Sequence, residues 1–198
     1  TDDPMATPDL PPPRKIRLLS RLDEGTLALL APVMRHVPMA VGDLVMEEGK
    51  PIREAWFPTD GVISMLGAAQ GDEPRVEVGT IGNEGVAGLA LFFGRDRAHS
   101  ECYVQVSGHA LRMPGAAFQA AAASRPDLAK VLHRYTHALF VQAAQGTACN
   151  VTHSPLQRCA RWLLMTDDRV EGDTFDLKQE FLAQMVAERR PTVSRVES

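Results

Sequence analysis

Cysteine is scarce: Cys102, Cys149 and Cys159 are the only three among 198 residues. Their number and irregular spacing exclude a disulfide framework. Neither Cys102 nor Cys149 has an adjacent lysine or arginine to favour a reactive thiolate. No apolar run approaches the roughly 20 residues of a membrane span, and no signal-peptide pattern opens the sequence, so a cytoplasmic location is expected. Surplus positive charge is also missing. Lys and Arg number 21 against 25 Asp and Glu, a net charge of -4, which argues against a general polyanion binder. No His-x-His, glycine-rich phosphate loop or nucleophile motif occurs, and the expectation is that the chain is not an enzyme.

What is present falls into blocks of different periodicity. Residues 1–13 hold five prolines and three acidic residues, the composition of a disordered lead-in. From Arg14 to Leu30, apolar positions recur at helical spacing, and Pro32 ends the run. A turn-rich region follows from Val37 to Met113. Its short apolar runs, Asp43 to Met46, Ala55-Trp56-Phe57, Val62 to Leu66, Val76-Glu77-Val78, Cys102 to Val106 and Ala110 to Met113, are separated by glycines, the pattern of a β-sandwich or small barrel. Helical spacing returns from Pro114 and, after Pro126, continues in one long stretch. There Leu128, Leu132, Tyr135, Leu139, Gln142, Gly146 and Cys149 follow a 4-3-4-3 spacing. Such a heptad seam predicts a partner helix, while Val131, Ala138 and Phe140 add a second apolar side. The expectation is that one side packs on the β-region and that the seam pairs with a second copy. Ser154-Pro155 then reads as a helix start, and Glu171-Gly172-Asp173 as a turn.

Residues 179–196 carry the most specific spacing. Leu182 and Val186 share one helix face, Val193 and Val196 another. Ala187-Glu188-Arg189 supplies the three- to four-residue turn between them, and Pro191 sits in the first turn of the second helix, where it forfeits no hydrogen bond. This is the spacing of a DNA-binding helix-turn-helix. The outward face bears Arg190, Thr192, Ser194 and Arg195, and arginine pairs bidentately with guanine in the major groove. From His153 onward, seven basic residues stand against eight acidic ones, so geometry rather than charge carries this reading.

The order of blocks, and several phrases within them, resemble the Crp/Fnr family of bacterial transcription regulators. The phrases are Gly49-Lys50-Pro51-Ile52, Trp56 to Gly61, Val76-Glu77-Val78-Gly79 leading to Gly82-Asn83-Glu84-Gly85, Arg134-Tyr135-Thr136, and Gln179 to Arg195. The resemblance implies an α+β chain with an N-terminal helix and an antiparallel β-roll (a double-stranded β-helix). A long dimerisation helix and a C-terminal winged helix-turn-helix, here stopping before the wing, complete it. The expected domains are a disordered segment at 1–13, a cyclic-nucleotide-binding-like β-roll at 14–125, a dimerisation helix at 126–152 and a DNA-binding domain at 153–198. Implied partners are double-stranded DNA with a palindromic site, a second copy of the chain, and RNA polymerase; no membrane is implied. Arg190, Thr192, Ser194 and Arg195 would face bases, with Lys178, Gln179 and Arg189 on phosphates. Leu128, Leu132, Tyr135, Leu139, Gln142 and Gly146 would form the dimer interface.

In relatives that bind cyclic nucleotides, a Gly-Glu pair holds the ribose and an Arg-Ser pair the phosphate. Ser100 and Glu101 stand at the Arg-Ser position here, so cyclic nucleotide is not expected to bind, no cofactor is assigned and the effector is left open. Glu84, Arg95, Arg97 and Ser100 are the residues nearest such a pocket. Three thiolates, none before Cys102, fall short of the four that an iron–sulfur sensor needs. His36, His99 and His109 are the haem-ligand candidates, and the pairs His133/His137 and Cys149/His153 have the four-residue separation of a metal clamp, each pair lacking further convergent ligands. Two other classes remain: a β-roll sensing or interaction module with no DNA role, and a cupin-like metal enzyme.

Overall fold

The computed structural model describes residues 16–67, 75–170, 172 and 174–175. The first helix is shorter than its apolar spacing predicts. A 3-10 turn at Leu19–Arg21 precedes α1, Glu24–Leu30. The break falls at Asp23, whose carboxylate accepts from Thr26 N at 2.6 Å and so starts a new helix. Leu19 and Leu30, one on each side, are buried in the same core.

Among the described residues five strands follow: β1 (Arg35–Met39), β2 (Leu44–Met46), β3 (Glu54–Leu66), β4 (Glu77–Ile81) and β5 (Glu101–Pro114). All pairings are antiparallel, in the order β1-β5-β3-β4 with β2 also on β5, and the sheet is not closed. β1 had no sequence signal of its own. Runs that read as separate strands are merged: Ala55–Phe57 and Val62–Leu66 belong to β3, Cys102–Val106 and Ala110–Met113 to β5. Bulges between Pro58 and Ile63 make this possible. Gly61 sits there with φ +78°, and a Cβ would lie 2.7 Å from the Ser107 and Val106 carbonyl oxygens. Glycine thus permits the two long strands to bend without separating.

Three helices close the described chain: α2 (Gly115–Ser124), α3 (Pro126–Thr152) and α4 (Pro155–Asp167). α3 covers the full stretch expected from the periodicity. α4 begins where Ser154-Pro155 indicated, with a capping box in which Ser154 Oγ accepts from Gln157 N and Gln157 Oε1 accepts from Ser154 N at 3.0 Å. Asp127, in the first turn of α3, accepts from Asp23 N at 3.0 Å and Thr26 Oγ1 at 2.8 Å, tying α1 to α3. The main core lies between sheet and helices. Phe57 and Phe118 meet edge-on at 6.0 Å, and Leu111, Leu128, Leu132 and Tyr135 pack around them.

This placement corrects the heptad-seam expectation. Leu128 and Leu132 are 0% exposed and Tyr135 7% within a single chain. Leu139 packs against the same cluster, and Gln142 Nε2 donates to Thr80 Oγ1 of β4 at 2.9 Å. A leucine already sealed by its own sheet has no surface to offer a second copy. The stripe is the face by which α3 holds the β-roll.

Candidate effector cavity and helix junction

A cavity of about 100 Å³ lies inside the β-roll, walled by Met46 and Met65 of the strands, by Val86 and Leu89, and by Leu139 of α3. Among the described residues, His99 and Ser100 are its polar contributors and no lysine or arginine lines it. The 3-10 helix Leu89–Phe93 forms one wall, held between Gly88 and Gly94, both left-handed. The space suits a small apolar group. An anion would find no cation there to offset its desolvation.

The four residues expected near an effector do not converge. Ser100 alone reaches the cavity. Arg97 turns away and donates from Nη1 to the Gly49 carbonyl oxygen at 2.9 Å, and Arg95 is exposed. Glu84 is committed elsewhere: its Oε1 accepts from Arg169 Nε at 3.0 Å and Nη2 at 2.9 Å, and from Gly82 N at 3.2 Å. As a group forming one effector pocket, Glu84, Arg95, Arg97 and Ser100 are therefore corrected. Their nearness in sequence placed them together, but the glycine turns aim their side chains apart.

A second, smaller space of about 30 Å³ lies where β4, α3 and α4 meet, walled in part by Glu77, Gln142, Cys149, Arg158, Arg161 and Trp162. Glu77 Oε2 accepts from Ser64 Oγ at 2.7 Å. Burial pushes the Glu77 carboxyl up to about 7 from an ordinary 4.5, against the pull of Ser64, Gln105 and the Arg169 and Arg161 charges. The alternation Val76-Glu77-Val78 points the other way, with valines inward. Instead Val78 is 39% exposed and Glu77 faces the helices. Sequence reasoning thus missed Glu77, Arg169 and the methionine-lined cavity; a carboxylate flanked by two valines on a short strand was the available signal for the first.

Burial raises the Cys102 thiol to about 12, with help from the Glu101 charge, so it stays protonated. His36 and His109 stack at 5.0 Å, with His109 Nδ1 at 3.4 Å from Asp60 Oδ1. His133 lies edge-on to Phe92, and Cys149 Sγ accepts from Gln145 Nε2 at 3.3 Å. Among the described residues, no group of three histidine, cysteine or acidic side chains is placed to hold a metal. No described helix is long and apolar enough to cross a membrane. Lys178, Gln179, Arg189, Arg190, Thr192, Ser194 and Arg195, and with them the helix-turn-helix, lie outside the described residues.

The outer side of α3 carries a second stripe. His137, Val141, Ala144, Ala148 and Val151 are all exposed and repeat at the same 4-3-4-3 spacing. Val141 is 51% exposed, Val151 83% and the flanking Phe140 70%.

No family model matches the chain, and no curated protein matches it by sequence. Solved structures do match by shape. The c-di-GMP-responsive global regulator CLP of Xanthomonas campestris superposes with a TM-score of 0.70 at 14% identity, over 88% of this chain and 89% of that one. A regulator of Eubacterium rectale, described as a putative member of the Crp/Fnr family, gives 0.72 at 9% identity, over 92% and 85%. The regulatory subunit of a cAMP-independent protein kinase A from Trypanosoma brucei gives 0.52 at 18% identity, over 61% of this chain and 43% of that one. The chain has the fold of the Crp/Fnr transcription regulators, in which an antiparallel β-roll is followed by a long helix and a shorter one.

Proposed function

We propose that this chain is a Crp/Fnr-type transcriptional regulator. A β-roll over 14–125 senses an effector, α3 joins two copies, and the segment from 153 onward reads DNA. The observation that carries the reading is the sequence of helix-turn-helix spacing immediately beyond a β-roll, α3 and α4 that share the shape of such regulators over most of the chain. The effector is a small apolar molecule. The regulator of X. campestris responds to c-di-GMP, but a cavity with no cation among the described residues of its wall favours neither that ligand nor a cyclic mononucleotide. Dimerisation uses the outer stripe of α3, which is apolar and open, in place of the inner one. The protein works in the cytoplasm, has no catalytic role and contacts RNA polymerase at its promoters.

On DNA, Arg190 and Arg195 enter the major groove and read base edges, aided by Thr192 and Ser194, while Lys178, Gln179 and Arg189 bind phosphates. A symmetric dimer selects two inverted half-sites about one helical turn apart. Selection from randomised duplexes by the full-length protein tests this. Arg190→Ala or Arg195→Ala should cost about 1–3 kcal/mol and relax the preferred sequence, whereas Lys178→Ala weakens all duplexes alike and flattens the salt dependence. Recovery of no preferred sequence sinks the proposal.

A further inference from the structure

The turn Gly82-Asn83-Glu84-Gly85 touches three parts of the molecule at once. On one side Glu84 receives both Nε and Nη2 of Arg169, the second residue after α4. The two side chains are 29% and 13% exposed, so solvent screens the pair only partly. A Cβ at Gly82 would lie 2.6 Å from Arg169 Cγ and Cδ, so the arginine stem rests directly on this glycine. On the other side Gly85 abuts Tyr135 of α3 so closely that a Cβ would collide with its ring. The chain then runs without interruption into Val86, Gly88, Leu89 and Ala90, a wall of the apolar cavity.

We propose that this turn is a latch by which the apolar cavity controls the segment following α4. A single residue separates Glu84 from Val86, and the two glycines bring Tyr135 and Arg169 into direct contact with the turn's backbone. A group entering the cavity displaces Val86 and Leu89 and carries Glu84 with them. A two-pronged contact to one carboxylate oxygen is sensitive to such a shift, because both N–H directions must be kept. Arg169 is also tied to α4 itself, donating from Nη1 to the Met165 carbonyl oxygen, so releasing Glu84 frees the helix end from the β-roll. The regulatory meaning of the latch rests on the regulator reading above; the contact and its coupling to the cavity do not.

The amides of Asp168, Arg169 and Val170 report the latch. They donate to the carbonyl oxygens of Leu164 and Thr166 at 2.9 to 3.2 Å. Hydrogen exchange of the whole chain, without DNA, is the measurement. Glu84→Gln keeps the shape and removes the charge, and should speed exchange at these amides about tenfold. Reversing the pair, Glu84→Arg with Arg169→Glu, should restore most of the protection. Leu89→Ala, in the cavity wall, should speed the same amides in the unmodified chain and add nothing to Glu84→Gln. Ala90→Val, which narrows the cavity, serves the same test if Leu89→Ala loosens the whole core. Unchanged exchange in Glu84→Gln overturns the latch. Strictly additive effects of the wall variant and Glu84→Gln overturn the transmission. Neither result depends on the DNA selection experiment, so the two readings fail separately.

Discussion

The two faces of α3 have the same spacing and opposite fates. Leu128, Leu132, Tyr135 and Leu139 line the inner face and are sealed by the β-roll; His137, Val141, Ala144, Ala148 and Val151 line the outer face and are open. Both stripes are heptads. The larger side chains lie inward and the smaller ones outward, the division expected of a helix that fills a core on one side and admits a close helix neighbour on the other. A heptad therefore identifies a face to be covered without saying what covers it.

The sharpest way to break this comparison is to change one residue on each face. Leu132→Ala removes a side chain that is 0% exposed and should cost about 2–5 kcal/mol in denaturant unfolding. Ala148→Ser on the open face should change monomer stability by less than about 0.5 kcal/mol. Equal losses at the two sites would mean that both faces are buried alike in the folded chain.

The inner face itself changes character along its length. Its first half meets the apolar core, whereas Gln142, Gly146 and Cys149 line the small space containing the Glu77 carboxyl. Because folding raises Glu77 from 4.5 to about 7, the folded chain holds its proton more tightly than the unfolded one. Its contribution to stability is complete below pH 4.5, declines as pH rises through about 7, and is gone above. Glu77→Gln should therefore flatten the difference in stability between pH 5 and pH 8. At pH 8 it should leave the variant more stable than the parent, by about 2–3 kcal/mol. A variant less stable than the parent at pH 8 would show that the Arg161 and Arg169 charges outweigh burial.

Much of this architecture was legible in the sequence. The extent of α3, the start of α4 and the antiparallel β-region followed from periodicity and from Pro126, Ser154 and Pro155, because caps and apolar spacing are local signals. What was illegible depends on contacts between distant residues. That the glycine turn aims Glu84 at Arg169, 85 positions away, is set by how α4 lies on the β-roll. The inversion of Val76-Glu77-Val78 arises because Ser64 and Gln105 on neighbouring strands, Arg161 of α4 and Arg169 just beyond it act on the Glu77 carboxyl, and no window around β4 contains them. The cavity has the same origin: its wall is drawn from strands, a 3-10 helix and α3.

The outer stripe gives the last test, and the mildest for the folded monomer. If two copies pair through it, Val141 and Val151 each enter the isologous contact twice, once from each copy. Val141→Glu with Val151→Glu places like charges in that seam and removes apolar area worth about 1.5–3 kcal/mol per fully buried valine. Association should weaken by at least tenfold in affinity, read by sedimentation equilibrium, while the unfolding midpoint at low concentration barely moves. The same substitutions at Leu132 would unfold the chain instead, and that contrast separates loss of pairing from loss of fold. A parent chain that sediments as a monomer at micromolar concentration would leave the outer stripe without a partner helix, and the apolar spacing of Val141, Ala144, Ala148 and Val151 would then need a different occupant.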